Sequence, residues 1–188
     1  MSIAPDMSAQ GAGMPTVVLV HGAFAGSSSW NGVIADLRRR GYPVIAVANP
    51  LRGVQKDAAY VRALLDSLPG PVVMAAHSYG GLVMTEAADG AANVKALVYV
   101  ASVSPEVGES VIGLLGKYPG SQLATSIAMV EIPADGGGTT MDQYILQRFL
   151  ADRAGSTTVE IAASHAVAVS RPGPVADLID SAARATMS

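Results

Sequence analysis

The chain contains no cysteine. That excludes disulfide bonds, a thiolate nucleophile and a zinc-thiolate centre, and it places no demand on the redox compartment. Charge is sparse as well: 14% of the 188 residues are Asp, Glu, Lys or Arg, for a net charge of −3. No basic stripe is available for nucleic acid, and the one dense cationic cluster, Arg38 to Arg40, falls at a predicted helix end, where it complements the helix dipole. No apolar run approaches the ~18 residues of a membrane span. Residues 1–15 are polar and small, without the apolar stretch of a signal peptide. The expectation is a soluble, cytoplasmic protein with a flexible tail over 1–15 and one domain over 16–188. There is no internal repeat. What is abundant is apolar: 50% of the residues are hydrophobic, enough at this length to fill a buried core.

From Thr16 onward, apolar runs alternate with stretches of helical spacing. Strands are predicted at 17–20, 44–48, 72–76 and 95–101, and a fifth at 157–162. Between them, Trp30, Val33, Ile34 and Leu37 mark one face of a helix over 30–40 closed by Gly41, and further helices are predicted over 55–68 and from Ser78 to about Asp89. Glycine and proline break up residues 103–121 and 133–140, a helix is predicted over 141–154, and Pro172-Gly173-Pro174 introduces the last helix, with Pro174 suited to its first turn. Continuous apolar strands alternating with helices imply a doubly wound, mainly parallel α/β sheet covered on both faces.

Ligands in such a sheet bind beyond the carboxyl ends of the strands. Three polar features lie there: His21-Gly22-Ala23 after the first strand, Ser78 after the third and His165 after the predicted fifth. Ser78 lies in Ala-His-Ser-Tyr-Gly-Gly, a strand-to-helix turn that departs from the G-x-S-x-G pattern only by Ala76 for the first glycine. A serine there is pushed into a strained backbone that lifts its hydroxyl clear of the sheet, although serine is also a common helix N-cap. Serine needs a base, and imidazole is the commonest. Of the three histidines, His77 is locked beside Ser78 and points away, and His21 belongs to a loop that shapes backbone geometry, so His165 is the candidate base. An oxyanion hole would take one amide from Tyr79, after the nucleophile, and one from Ala23, with Gly22 allowing close approach. Phe24, Trp30 and Tyr79 are candidates for apolar lining.

Three segments carry a family resemblance: Val-Leu-Val-His-Gly-Ala-Phe at 18–24, Ala-His-Ser-Tyr-Gly-Gly at 76–81 and Ser-His-Ala-Val-Ala-Val-Ser-Arg-Pro at 164–172. They resemble the α/β-hydrolase superfamily, in particular small bacterial esterase-like members similar to plant methyl-ester esterases and hydroxynitrile lyases. The resemblance implies Ser78 as nucleophile, His165 as base and the Ala23 and Tyr79 amides as oxyanion hole. The lyases of that group carry threonine where this chain has Gly22, which favours an esterase.

The chain departs from that family between the regions of Tyr144 and Gln147, where members carry a helical cap and a strand ending in the triad aspartate. Among the carboxylates between Ser78 and His165, which are Asp89, Glu106, Glu109, Glu131, Asp135, Asp142, Asp152 and Glu160, none matches that motif; Glu106, after the fourth strand, is the best placed acid. Loss of one strand would let the last close up by about 4.8 Å. The expected fold is therefore a shortened α/β-hydrolase, five-stranded with order 2-1-3-4-5, whose edge could pair in a homodimer. Missing the acid costs such a site about 10⁴-fold in turnover.

The leading expectation is a serine carboxylesterase acting on small-molecule esters through an acyl-enzyme on Ser78, with no metal or organic cofactor and no nucleic-acid or membrane partner. The alternative is a catalytically impaired hydrolase-fold scaffold or binding module. A small-ligand binder with flavodoxin-like strand order is a third reading, for which the chain lacks the phosphate-cradling glycines after the first strand.

Overall fold

The computed structural model of the protein describes residues 13–102 and 154–187. Glu106, Asp135 and Asp142 lie outside the described residues, as does nearly all of the helix expected over 141–154. The described elements are β1 (Thr16–Val20), a 3-10 turn (Ser27–Trp30), α1 (Asn31–Arg39), β2 (Val44–Val47), α2 (Val54–Ser67), β3 (Val72–His77), α3 (Gly80–Ala88), β4 (Val94–Val100), a single turn α4 (Val167–Ser170) and α5 (Pro172–Ala185).

The strands pair in parallel in the order β2-β1-β3-β4. Val17 opposes Val44 on one side and Val73 on the other, and Val20 opposes Val47 and Ala76, so β1 and β3 form the centre. Both are buried along their whole length, which is why they read as unbroken apolar runs rather than as alternation. Alternate residues still serve different faces. Val17, Leu19, Val73, Ala75, Val98 and Val100 pack under α1, α4 and α5 with Trp30, Val33, Leu37, Val175 and Ile179. Val18, Val20, Val72, Met74 and Ala76 pack under α2 and α3 with Val61, Leu65, Val83 and Met84. Each fully buried side chain of this size contributes about 1.5–3 kcal/mol, so the two layers together fasten the sheet between its helices.

The C-terminal helix is fastened to the first by packing and by charge. A Cβ built on Gly32 would come 2.7 Å from the Pro172 side chain, so α1 and the start of α5 touch where only hydrogen fits. At the other end, Asp180 accepts hydrogen bonds from the Tyr42 hydroxyl at 2.5 Å and from Arg184 at 3.1 Å, and Arg40 reaches both Asp177 and Asp180. Burial, reinforced by the Asp180 carboxylate, pushes the Tyr42 hydroxyl up to about 12. Burial works against ionising Asp180, but Tyr42, Arg184 and Arg40 outweigh it and hold that carboxyl below its usual range.

Two expectations are corrected. Residues 157–162 do not form a strand: residues 154–160 are exposed and Val159 retains 55% of its accessible surface. The Thr-Thr-Val-Glu-Ile composition favours strand, but such propensity expresses packing on a pleated, half-buried surface and does not act without one. Among the described residues the sheet therefore has four strands, in the first four positions of the expected order. Trp30, expected as a possible wall of an open pocket, is 0% exposed and belongs to the core beneath α1 and α5. Its helical phase carried it inward with Val33 and Leu37. Among the described residues, no helix is long and apolar enough to cross a membrane.

Candidate active site

The strand order reverses between β1 and β3, because the chain runs outward from β1 to β2 and then returns to build β3 and β4 on the other side. Ligands of doubly wound sheets bind at the carboxyl ends of the strands flanking that reversal. Ser78 follows β3 there, with φ +52, in the left-handed region that costs a residue bearing a Cβ roughly 1–2 kcal/mol. The surroundings enforce it. The Ser78 amide donates to the Val100 carbonyl at 3.3 Å, and the Ser78 carbonyl accepts from the Gly81 amide at 2.9 Å and from the Ser102 hydroxyl at 2.5 Å. Ser102 fits because residue 81 is glycine: a Cβ there would fall 1.9 Å from Ser102 Oγ.

The loop after β1 presses on this turn from the other side. A Cβ on Gly80 would come 2.7 Å from the Val20 carbonyl and 2.8 Å from that of His21. One on Gly22 would come 2.9 Å from the Ser78 Cβ. Ala23 follows at once, and its amide donates to no backbone carbonyl among the described residues; the same is true of the Tyr79 amide. Phe24 turns outward at φ +59 and is 81% exposed. His21 is buried with Nδ1 donating to the Gly22 carbonyl at 2.9 Å, a local bond that shapes the loop.

His165 is half-buried in the segment leading into α4. Its carbonyl lies 2.8 Å from His77 Nε2; a carbonyl can only accept, so that nitrogen of His77 carries the proton. The two rings lie 4.7 Å apart and tilted by 48°. The residue immediately before Ser78 thus holds the backbone of His165 at the end of β3. The loop after β1, the turn after β3 and the segment before α4, which carry Ala23, Ser78 with Tyr79, and His165, converge at the carboxyl ends of the central strands. Glu106 is outside the described residues.

Three participants escaped the sequence reading. Ser102 is buried beneath the turn, Asn49 is buried with its Nδ2 donating to the His21 carbonyl at 3.3 Å, and Asp57 is wholly buried, accepting from the Tyr79 hydroxyl at 2.7 Å and the Arg52 amide at 2.8 Å. Asp57 did leave a signal. It shares the four-residue spacing of Val61 and Leu65, and so stands as a carboxylate on the apolar face of α2. Burial, and then the bond to Asp57, raise the Tyr79 phenol well above its ordinary value, so its proton stays on oxygen and Tyr79 is the donor of the pair.

A model of the alpha/beta hydrolase family matches residues 17–178, and the chain belongs to this family. A carbendazim hydrolyzing esterase of Nocardioides sp. (strain SG-4G) is 32% identical over 117 residues, 55% of this chain and 48% of that protein. A probable hydrolase of Phoma sp. is 30% identical over 111 residues, 51% of this chain and 46% of that protein. The chain thus spans about half the length of the curated relatives it matches. Among solved structures, a pyrethroid hydrolase from Sphingobium faniae JZ-2 superposes with a TM-score of 0.61 at 18% identity, covering 91% of this chain and 98% of that chain. Tomato methylketone synthase I complexed with 2-tridecanone gives 0.59 at 15% identity, covering 92% of this chain and 99% of that chain. These likenesses show the same fold.

Proposed function

We propose that the protein is a serine hydrolase of small carboxylic esters, with Ser78 as nucleophile and His165 as general base. The observation that carries this reading is the left-handed backbone of Ser78 between β3 and α3, a strain that three hydrogen bonds and close approaches at Gly22, Gly80 and Gly81 sustain at the carboxyl ends of the strands, where ligands bind in this fold. The relatives named esterase and hydrolase support the same class of chemistry.

In this mechanism His165 takes the hydroxyl proton as Ser78 Oγ attacks the ester carbonyl. The negative charge formed on the carbonyl oxygen is met by the amides of Ala23 and Tyr79. The tetrahedral adduct collapses, the alkoxide leaves with the proton held by His165, and the acyl group stays on Ser78. Water then repeats the sequence with His165 as base, releasing the acid and restoring the serine. Glu106 is the proposed orienting acid.

The test is a burst assay with p-nitrophenyl acetate and butyrate on the wild type beside Ser78→Ala and His165→Ala. Loss of turnover in both variants supports the site, and Glu106→Gln then tests the acid. Wild-type release no faster than that of Ser78→Ala overturns the esterase reading and leaves a hydrolase-fold scaffold without this chemistry.

A further inference from the structure

We infer that Asp57 is a positioning residue for the oxyanion-binding amide of Tyr79, acting through the Tyr79 hydroxyl; this rests on the reading of Ser78 as nucleophile.

Asp57 is 0% exposed in the first turn of α2, on the face that otherwise carries Ala58, Val61 and Leu65. A carboxylate there is costly to bury, and an apolar residue of similar size would serve packing better, so its presence asks for a task that packing does not supply. Both of its oxygens are engaged. Oδ1 accepts the Arg52 amide, which ties the carboxylate to the loop between β2 and α2. Oδ2 accepts the Tyr79 hydroxyl.

Tyr79 is the residue whose amide is proposed to meet the oxyanion, and no side chain caps α3 at that position. Its ring is a lever: fixing the hydroxyl at the far end restrains the Cα and, with it, the plane of the peptide that must present its N–H to a transient oxyanion. Oxyanion donors act within a narrow range of about 2.7–3.1 Å, so this restraint bears on the transition state and little on ground-state binding.

The loop that supports Asp57 is itself bent for the purpose. Leu51 at φ +56 and Gly53 at φ +105 are both left-handed, and between them they turn the Arg52 amide toward the carboxylate. The same loop begins at Asn49, which holds the His21 carbonyl at the end of the strand leading to Ala23. Residues 49–57 therefore touch both segments that carry the proposed oxyanion amides.

The experiment measures kcat and KM on p-nitrophenyl acetate for Tyr79→Phe, Asp57→Asn and the double variant, with a trifluoromethyl ketone as tetrahedral-adduct inhibitor and Ser78→Ala as control. Tyr79→Phe keeps the ring and removes one oxygen, so it decides the matter even where a variant at Asp57 folds poorly. The expected result is a fall in kcat of about 10-fold with KM changed by less than about twofold, and a parallel rise in the inhibition constant of the ketone. The double variant should be no slower than Tyr79→Phe alone, because Asp57 acts through the hydroxyl. Wild-type kcat in Tyr79→Phe, with Ser78→Ala inactive, overturns the inference and leaves the nucleophile standing. Equal activity in wild type and Ser78→Ala removes both.

Discussion

Gly22 lies against Ser78 so closely that a Cβ built on it would come 2.9 Å from the Ser78 Cβ and 3.0 Å from His77 Nδ1. The loop carrying Ala23 and the turn carrying Ser78 thus share space that a side chain at position 22 would occupy. Gly22→Ala should force them apart. Because a misplacement of about 1 Å can cost roughly 10²-fold, turnover of p-nitrophenyl acetate should fall by about that factor, with a stability loss of about 1–3 kcal/mol from overpacking. Activity and urea unfolding on the same sample check both; unchanged values would show that the loop yields without cost.

The strain at Ser78 has its own signature. Ser78→Gly and Ser78→Ala both remove the hydroxyl, but only glycine adopts φ +52 without a steric penalty. The glycine variant should be more stable than the alanine variant by about 1 kcal/mol, read from denaturation midpoints. Equal midpoints would mean that the turn relaxes once the hydroxyl is gone.

Gly80 offers a test with an inverted sign. It begins α3, where alanine normally improves a helix by about 1 kcal/mol. Here a Cβ would meet the Val20 carbonyl at 2.7 Å and the His21 carbonyl at 2.8 Å, both backbone atoms that cannot swing aside. Gly80→Ala should destabilise by at least about 2 kcal/mol. Gly26→Ala, whose added Cβ meets nothing within 4 Å at an extended φ of −139, should change stability by less than about 1 kcal/mol. Similar effects at the two glycines would refute the steric account.

The contact between α1 and α5 should make stability depend on pH at both extremes. Folded Tyr42 holds its proton more tightly than the unfolded chain does, so its contribution is complete below about pH 10 and is lost as pH rises through about 12. Asp180 is shifted the other way: its contribution is present above the unfolded value of about 3.9 and is lost as pH falls through the lower folded value. Tyr42→Phe should cost about 1.5 kcal/mol at neutral pH and flatten the alkaline limb, measured as melting temperature across pH 6–12. An unchanged alkaline limb would assign it to other groups.

Legibility in the sequence followed the range of the interaction. β1, β3 and β4 were readable to within a residue or so because each is an apolar run bounded by glycine, proline or polar residues, and α1 was readable because Val33 and Leu37 repeat at helical spacing. The turn at Ser78 was readable because strand, turn and helix are consecutive. The expected strand at 157–162 failed because its residues favour a sheet but find no neighbouring strand to pair with among the described residues. Trp30 was placed on the right helix face; of its two readings, pocket lining and packing of its helix, the second is the one found. The bonds of Asp57 to Tyr79 and of Asp180 to Tyr42 join residues far apart in sequence, and local spacing carries no record of such a pairing.

One layer of the core is completed by α5, whose Val175, Ala176, Ile179 and Ala183 join Trp30, Val33 and Leu37 of the α1 region on the same face of the sheet as Val17, Leu19, Val73 and Ala75. During synthesis the part of that face that α1 does not cover must wait, open to water and to other nascent chains, until the ribosome has supplied everything between β4 and the last helix. The α2 and α3 side has no such delay, since its helices are made between the strands they cover. Folding should therefore be late and cooperative on one side, with a window in which a chaperone that binds apolar strands has most to protect.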